Sequence, residues 1–209
     1  MSLTLKYVIV IVISYLLGSV NSSIIVSKLF MGKDIREFGS GNAGSTNSYR
    51  MMGGKKTLLV MAGDLLKGII AVLIAGFMFG EMGNFGGMGK MIAATFAIVG
   101  HIFPIFFGFK GGKGILTAAA VFGVFDIRIL AIILGTFIIV VLICKFVSLA
   151  SVCAAAMLPV AFLICGYDFK FFAIAFVTAA LVIFMHRSNI GRLIKGTESK
   201  FSFKRKGDK

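Results

Sequence analysis

Long apolar runs separated by short polar and basic segments organise this chain from end to end. Seven runs stand out: Leu3 to Ile25, Thr57 to Phe79, Met91 to Phe107, Gly114 to Phe125, Ile127 to Cys144, Leu149 to Cys165 and Phe171 to Met185. A helix needs about 20 apolar residues to cross a hydrocarbon core roughly 30 Å thick, so these runs predict membrane-spanning helices. At a rise of about 1.5 Å per residue the fourth run covers only part of that core, which makes it a tilted short span or a re-entrant half-helix. The expected fold is an all-α polytopic membrane protein of about seven transmembrane helices, the fourth short; five or six spans is the alternative count.

Composition agrees: 58% of positions are hydrophobic and only 14% charged, against roughly a quarter charged in soluble domains. The short loops leave no room for a separate soluble domain, so residues 1–209 read as a single integral-membrane domain. The first run begins almost at Met1 but has no small-residue cleavage site, and is expected to stay as a span. Seven crossings place the N-terminus outside and the C-terminus in the cytoplasm. Lys28, Lys33, Arg36, Arg50, Lys55 and Lys56 then lie in the first inner loop, Lys110 and Lys113 in the second, and 187–209 forms a basic cytoplasmic tail. The outer turns pair Glu81 with Lys90, Asp126 with Arg128 and Asp168 with Lys170, so the positive-inside bias supports this orientation.

The formal charge of +14 is scattered between apolar runs and does not form one aromatic-studded platform, so membrane lipid, not nucleic acid, is the expected partner. Cys144, Cys153 and Cys165 lack paired metal-ligand spacing and read as buried free thiols.

Four polar clusters carry potential chemistry. In Ser40-Gly41-Asn42-Ala43-Gly44-Ser45-Thr46-Asn47, followed by Arg50, glycines let backbone N–H groups face an anion while hydroxyls, amides and a planar cation add donors. Alone, this stretch reads equally well as a flexible connector. His101-Ile102-Phe103-Pro104 leads into Lys110-Gly111-Gly112-Lys113-Gly114, lysines in a glycine turn directly before an apolar helix, which suits phosphate at a helix N-terminus. It is not a Walker loop, lacking the Gly-Lys-Ser/Thr ending and a preceding strand. Taken alone, its lysines fit a positive-inside turn. Ser148 and Ser151 lie one helical turn apart, although a lone serine is usually satisfied by its own helix. His186 and Asn189 share a face if helix continues, ahead of Gly196-Thr197-Glu198, while Arg187, Arg192 and Lys195 suit headgroup anchoring. Asp64 and Lys67, inside the second run, are expected to form an internal structural pair, because ionisable groups in lipid need partners.

Together and in this order, the four clusters resemble the bacterial acyl-phosphate-dependent glycerol-3-phosphate acyltransferase family, PlsY, over nearly the whole chain. The resemblance implies transfer of a fatty acyl group from acyl phosphate to the 1-hydroxyl of glycerol 3-phosphate, giving lysophosphatidic acid and phosphate for phospholipid synthesis. It places the protein in the bacterial cytoplasmic (inner) membrane with its active site on the cytoplasmic face. It implies no cofactor or metal, and an upstream acyl-phosphate-forming enzyme as a partner.

By similarity, Lys113, His186 and Asn189 are the catalytic residues. Ser40, Gly41, Asn42, Gly44, Asn47, Arg50, Lys110, Gly111, Gly112, Gly114, Ser148, Ser151 and Glu198 are the substrate-binding ones. Arg50 and Lys113 would hold phosphate charge. Ser40, Ser151 and Asn189 would orient oxygens, and His186 would hydrogen-bond glycerol phosphate or assist removal of its hydroxyl proton. No His-four-residues-Asp dyad follows His101 or His186, unlike in acyltransferases that use acyl-CoA or acyl carrier protein. That departure implies direct, substrate-assisted transfer without an acyl-enzyme. The competing readings are a serine nucleophile near His186 and, in a different class, a membrane transporter or lipid-binding protein for a phosphorylated ligand.

Overall fold

The first apolar run does not continue as one helix, because a small polar cluster interrupts it. In the computed structural model, which describes residues 1–83 and 85–200, α1 (Leu3–Ser19) ends at Val20 and α2 (Ser22–Met31) starts behind Asn21. The Asn21 side chain accepts a hydrogen bond from the Ile24 N–H at 3.1 Å, capping α2. The expected span Leu3 to Ile25 is therefore two helices, although Leu3–Met31 as a whole is long and apolar enough to cross a membrane. After a 3-10 turn at Ile35–Glu37 come α3 (Ser45–Met52), α4 (Gly54–Phe79) and α5 (Met88–Ile102). A second 3-10 turn at Ile105–Phe107 precedes α6 (Ile115–Phe125), α7 (Ile127–Cys144), α8 (Val147–Ile164), α9 (Phe169–Met185) and α10 (Arg187–Ile194). All regular elements among the described residues are helical.

Five helical segments among the described residues are long and apolar enough to span, and six if the pair α9 and α10, bent by 58°, counts as one. With 11 residues, α6 is only about 16 Å long, half of a bilayer core. Large apolar side chains cover the outside: α7 buries only Ile129 and Ile133, while Phe77, Leu142 and Ile143 are among the most exposed residues. Such a surface suits lipid and not water. None of the three cysteines is in a disulfide, and each is half-buried and not buried as expected.

The helices divide into two units, residues 1–127 and the residues from Arg128 onward. In the first, α1 runs along α5, and α4 packs against α1, α5 and α6. A Cβ on Gly18 would collide with the Ala97 carbonyl, and one on Gly100 with the Tyr15 carbonyl. The α1 and α5 backbones therefore touch, the means by which helices associate in a solvent as apolar as their own side chains. At the far end of α4, the Glu81 carboxylate accepts from the N–H groups of Gly89 and Lys90 at 3.1 and 3.0 Å and caps α5. In the second unit α8 and α9 pair, and α10 packs on both. Their turn is held by Tyr167, whose ring lies 5.2 Å from that of Phe162 and 5.4 Å from that of Phe171.

Candidate active site

Residues 34–53 form a loop shaped by one amide. The Asn47 side chain donates to the carbonyls of Ile35 and Phe38 at 3.2 and 3.0 Å, and its Oδ1 accepts from the Ser40 N–H at 3.1 Å. Both N–H donors are thus spent on backbone, one bond is accepted from it, and the side chain is buried. Through these bonds Asn47, expected as a substrate-binding residue, also folds the loop. Around it Gly41 takes the left-handed conformation at φ +69°, and the Asn42 amide lies over Gly44. Gly44 opens α3 without a side-chain cap, so the first-turn N–H groups have no intrahelical or capping acceptor. Ser40 and, in the last turn of α3, Arg50 are exposed.

The second loop folds back on the end of α5. The N–H groups of Gly111 and Gly112 donate to the carbonyls of Ile102 and His101, each at 3.1 Å. A Cβ on Gly112 would strike Nε2 of His101 and lie 2.7 Å from the Ala43 carbonyl oxygen. Only glycine fits this seam. Lys110 is exposed, Lys113 is half-buried, and Gly114 starts α6, again without a side-chain cap.

Arg36 stitches the two loops together. Its Nη1 donates to the carbonyls of Phe107 and Lys110 at 2.6 and 3.0 Å, while Nε and Nη2 grip Asp34 at 3.0 and 2.8 Å. The hydrogen bonds from Arg36 hold the Asp34 carboxyl below its usual range against a smaller opposing effect of burial. Asp34 in turn raises the pKa of Arg36. An open cavity of about 560 Å³ lies here, lined by Asp34, Arg36, Glu37, Gly41, Phe107, Gly108, Lys110 and Gly111. From sequence Arg36 reads only as an inner-loop cation, because an Asp two residues before an Arg says nothing about carbonyls more than 70 residues away.

Beneath the seam lies a buried polar group. Lys67 Nζ stands 2.8 Å from Asp64 Oδ1, 2.8 Å from the Val20 carbonyl and 2.8 Å from His101 Nδ1. The expected Asp64–Lys67 pair is present, and it extends to His101 and to the break between α1 and α2.

In the second unit, His186 sits at the bend between α9 and α10, and its Nδ1 lies 2.8 Å from the Val182 carbonyl. A carbonyl only accepts, so Nδ1 carries a proton and a neutral ring has its lone pair on Nε2. Asn189 donates to Glu198 at 2.7 Å, and Arg192 Nε donates to the same carboxylate at 2.6 Å. Burial opposes ionisation of Glu198, but Asn189, the nearby Ser148 hydroxyl and Arg192 outweigh it and lower its pKa. Glu198 is thereby an anchor for Asn189, which the expected substrate-binding role did not include. Ser148 meets no partner with normal hydrogen-bond geometry, whereas Ser151 donates to its own helix at Val147, 2.9 Å away. No group of three His, Cys, Asp or Glu among the described residues is placed to hold a metal ion.

Comparison with known proteins gives a consistent picture. A family model described as glycerol-3-phosphate acyltransferase matches residues 8–196. A glycerol-3-phosphate acyltransferase of Chlorobaculum tepidum is 40% identical, the alignment covering 97% of this chain and 99% of that one. Its counterpart from Fusobacterium nucleatum is 41% identical over 92% and 97%. Among solved structures, the glycerol 3-phosphate form of PlsY, an integral membrane glycerol 3-phosphate acyltransferase, superposes with a TM-score of 0.86 at 36% identity, covering 94% of this chain and 96% of that one. The lysophosphatidic acid form of PlsY gives 0.83 at 34%, covering 94% and 95%.

Proposed function

The chain belongs to the glycerol-3-phosphate acyltransferase family, and from that premise we propose that it transfers a fatty acyl group from acyl phosphate to the 1-hydroxyl of glycerol 3-phosphate. The products are lysophosphatidic acid and phosphate. The observation that carries this reading is the seam between the loops of the first unit. Two helix N-termini without side-chain caps, at Gly44 and Gly114, belong to loops that also bear Arg50, Lys110 and Lys113. Cations and open N–H groups suit phosphate esters.

Roles follow from the residue types. Arg50 and Lys113 hold phosphate charge, with Lys110 and the backbone of Gly41, Gly111, Gly112 and Gly114 around them; Ser40 and Asn42 offer further hydrogen bonds. In the second unit, Asn189, fixed by Glu198, and Ser148 and Ser151 orient oxygens, and His186 hydrogen-bonds glycerol phosphate. The attacking hydroxyl oxygen bonds to the acyl carbon, the bond from the acyl carbon to the phosphate oxygen breaks, and the departing phosphate keeps its electrons and takes the hydroxyl proton. Acyl phosphate is chosen as donor because it brings its own good leaving group, and because no His-four-residues-Asp dyad follows either histidine. Direct transfer needs only positioning and stabilised charge.

The distribution of Lys and Arg supports a cytoplasmic position for both inner loops and for the C-terminus, with the N-terminus outside the bacterial inner membrane and α6 as a short crossing. An upstream enzyme that makes acyl phosphate is the corresponding partner. The test is to reconstitute the purified protein in lipid with labelled glycerol 3-phosphate and acyl phosphate. Lysophosphatidic acid should form without any acylated serine; an acyl-serine intermediate would overturn direct transfer, and uptake of label without product would replace catalysis by transport.

A further inference from the structure

Lys67 lies at the centre of a network that reaches the glycine turn through one histidine. An ammonium donates and never accepts; Lys67 Nζ hydrogen-bonds the Val20 carbonyl and His101 Nδ1, each at 2.8 Å, and forms an ion pair with Asp64 Oδ1 at 2.8 Å. His101 Nδ1 must therefore accept, and a neutral imidazole then carries its proton on Nε2. Nε2 is the atom that a Cβ on Gly112 would strike, at the seam where Gly112 meets the Ala43 carbonyl. His101 also supplies the carbonyl that receives the Gly112 N–H. Asp64, Lys67 and His101 are all at most 5% exposed. Charge buried at this depth persists where it has partners and a task.

We propose that His101 is a positioning residue: Lys67, charge-balanced by Asp64, locks it in the tautomer that presents Nε2–H to the Ala43–Gly112 seam, and this holds the glycine turn open toward phosphate. The proposal rests on the reading of that turn as the glycerol 3-phosphate site.

The test combines kinetics with a spectroscopic signature. His101→Gln keeps an amide N–H near the Nε2 position, whereas His101→Asn keeps only an acceptor near Nδ1. KM for glycerol 3-phosphate should rise at least about tenfold in His101→Asn and less than about threefold in His101→Gln, with kcat within about threefold in both. Equal effects of the two variants, or a fall in kcat at constant KM, would overturn the proposal. The chain has only two histidines, so 15N spectra of the labelled protein, assigned by difference against His101→Gln, read each tautomer. His101 should show a protonated Nε2 and a bare Nδ1, and the charge-neutral double variant Asp64→Asn/Lys67→Met should lose that preference. A proton on Nδ1 of His101 in the active wild-type protein, or an unchanged tautomer in the double variant, would sink the lock alone. A wild-type protein with no acyltransferase activity would instead overturn the reading of the site.

Discussion

Arg36 donates from Nη1 to the carbonyl of Phe107 at 2.6 Å, joining loops 71 residues apart in the chain. With Nε and Nη2 on Asp34 and Nη1 also on the Lys110 carbonyl, the guanidinium is committed to protein partners and its charge is balanced. These contacts hold the second loop against the first. Replacing Arg36 by Lys or Ala should raise KM for glycerol 3-phosphate about tenfold, and Lys should not rescue, since an ammonium cannot make the fork that grips a carboxylate and two carbonyls together. Michaelis curves for both variants check this; full activity in Arg36→Lys would reduce the contact to a simple charge.

The glycine turn predicts a contrast between neighbours. Gly112→Ala would drive a methyl group into the His101 ring and the Ala43 carbonyl, and should cost about a hundredfold or more in kcat/KM. Gly108 has φ +66° but open space around its missing Cβ. Gly108→Ala should therefore cost only about 1–2 kcal/mol of backbone strain and leave activity within a few-fold. Initial rates and thermal unfolding of the two variants side by side measure it.

These two loops also show what the sequence made legible. Glycines and cations set among apolar runs stood out because lipid leaves few other places for them, so the clusters at Ser40–Asn47 and Lys110–Gly114 were visible from pattern. The task of each side chain was not. Asn47 has the same composition signal whether its amide faces a ligand or the carbonyls of Ile35 and Phe38. His101 joins Asp64 and Lys67 only through the packing of α5 on α4, which no local spacing encodes. The break after α1 was hidden because Asn21 and its neighbouring serines barely interrupt an apolar run, although Asn21 caps α2 and Lys67 binds the Val20 carbonyl freed there.

Lys113→Ala and His186→Ala should each lower turnover by about a hundredfold or more, with normal insertion into membranes. Steady-state rates on extracted protein, with the amount inserted measured in parallel, decide the point. Unchanged kinetics in both would remove them from the site.

The anchor at Glu198 predicts a pH dependence of stability. Its carboxyl has a folded-state pKa below the usual value near 4.5, so its stabilising contribution is fully present above that value and is lost as pH falls through the lower folded value. Glu198→Gln should therefore unfold at lower temperature than wild type at pH 7, and the gap should close as pH drops below about 4.5. Melting curves in detergent across that range test the sign; a gap that widens in acid would contradict it.

The central question for this protein is which donor delivers the acyl group. The most direct measurement offers the purified, lipid-reconstituted protein labelled glycerol 3-phosphate together with either acyl phosphate or acyl-CoA of the same chain, and follows lysophosphatidic acid against released phosphate. With acyl phosphate as the donor, lysophosphatidic acid should form from acyl phosphate with one phosphate released per product, and none should form from acyl-CoA. Product from acyl-CoA alone, or no product from acyl phosphate, would contradict that assignment.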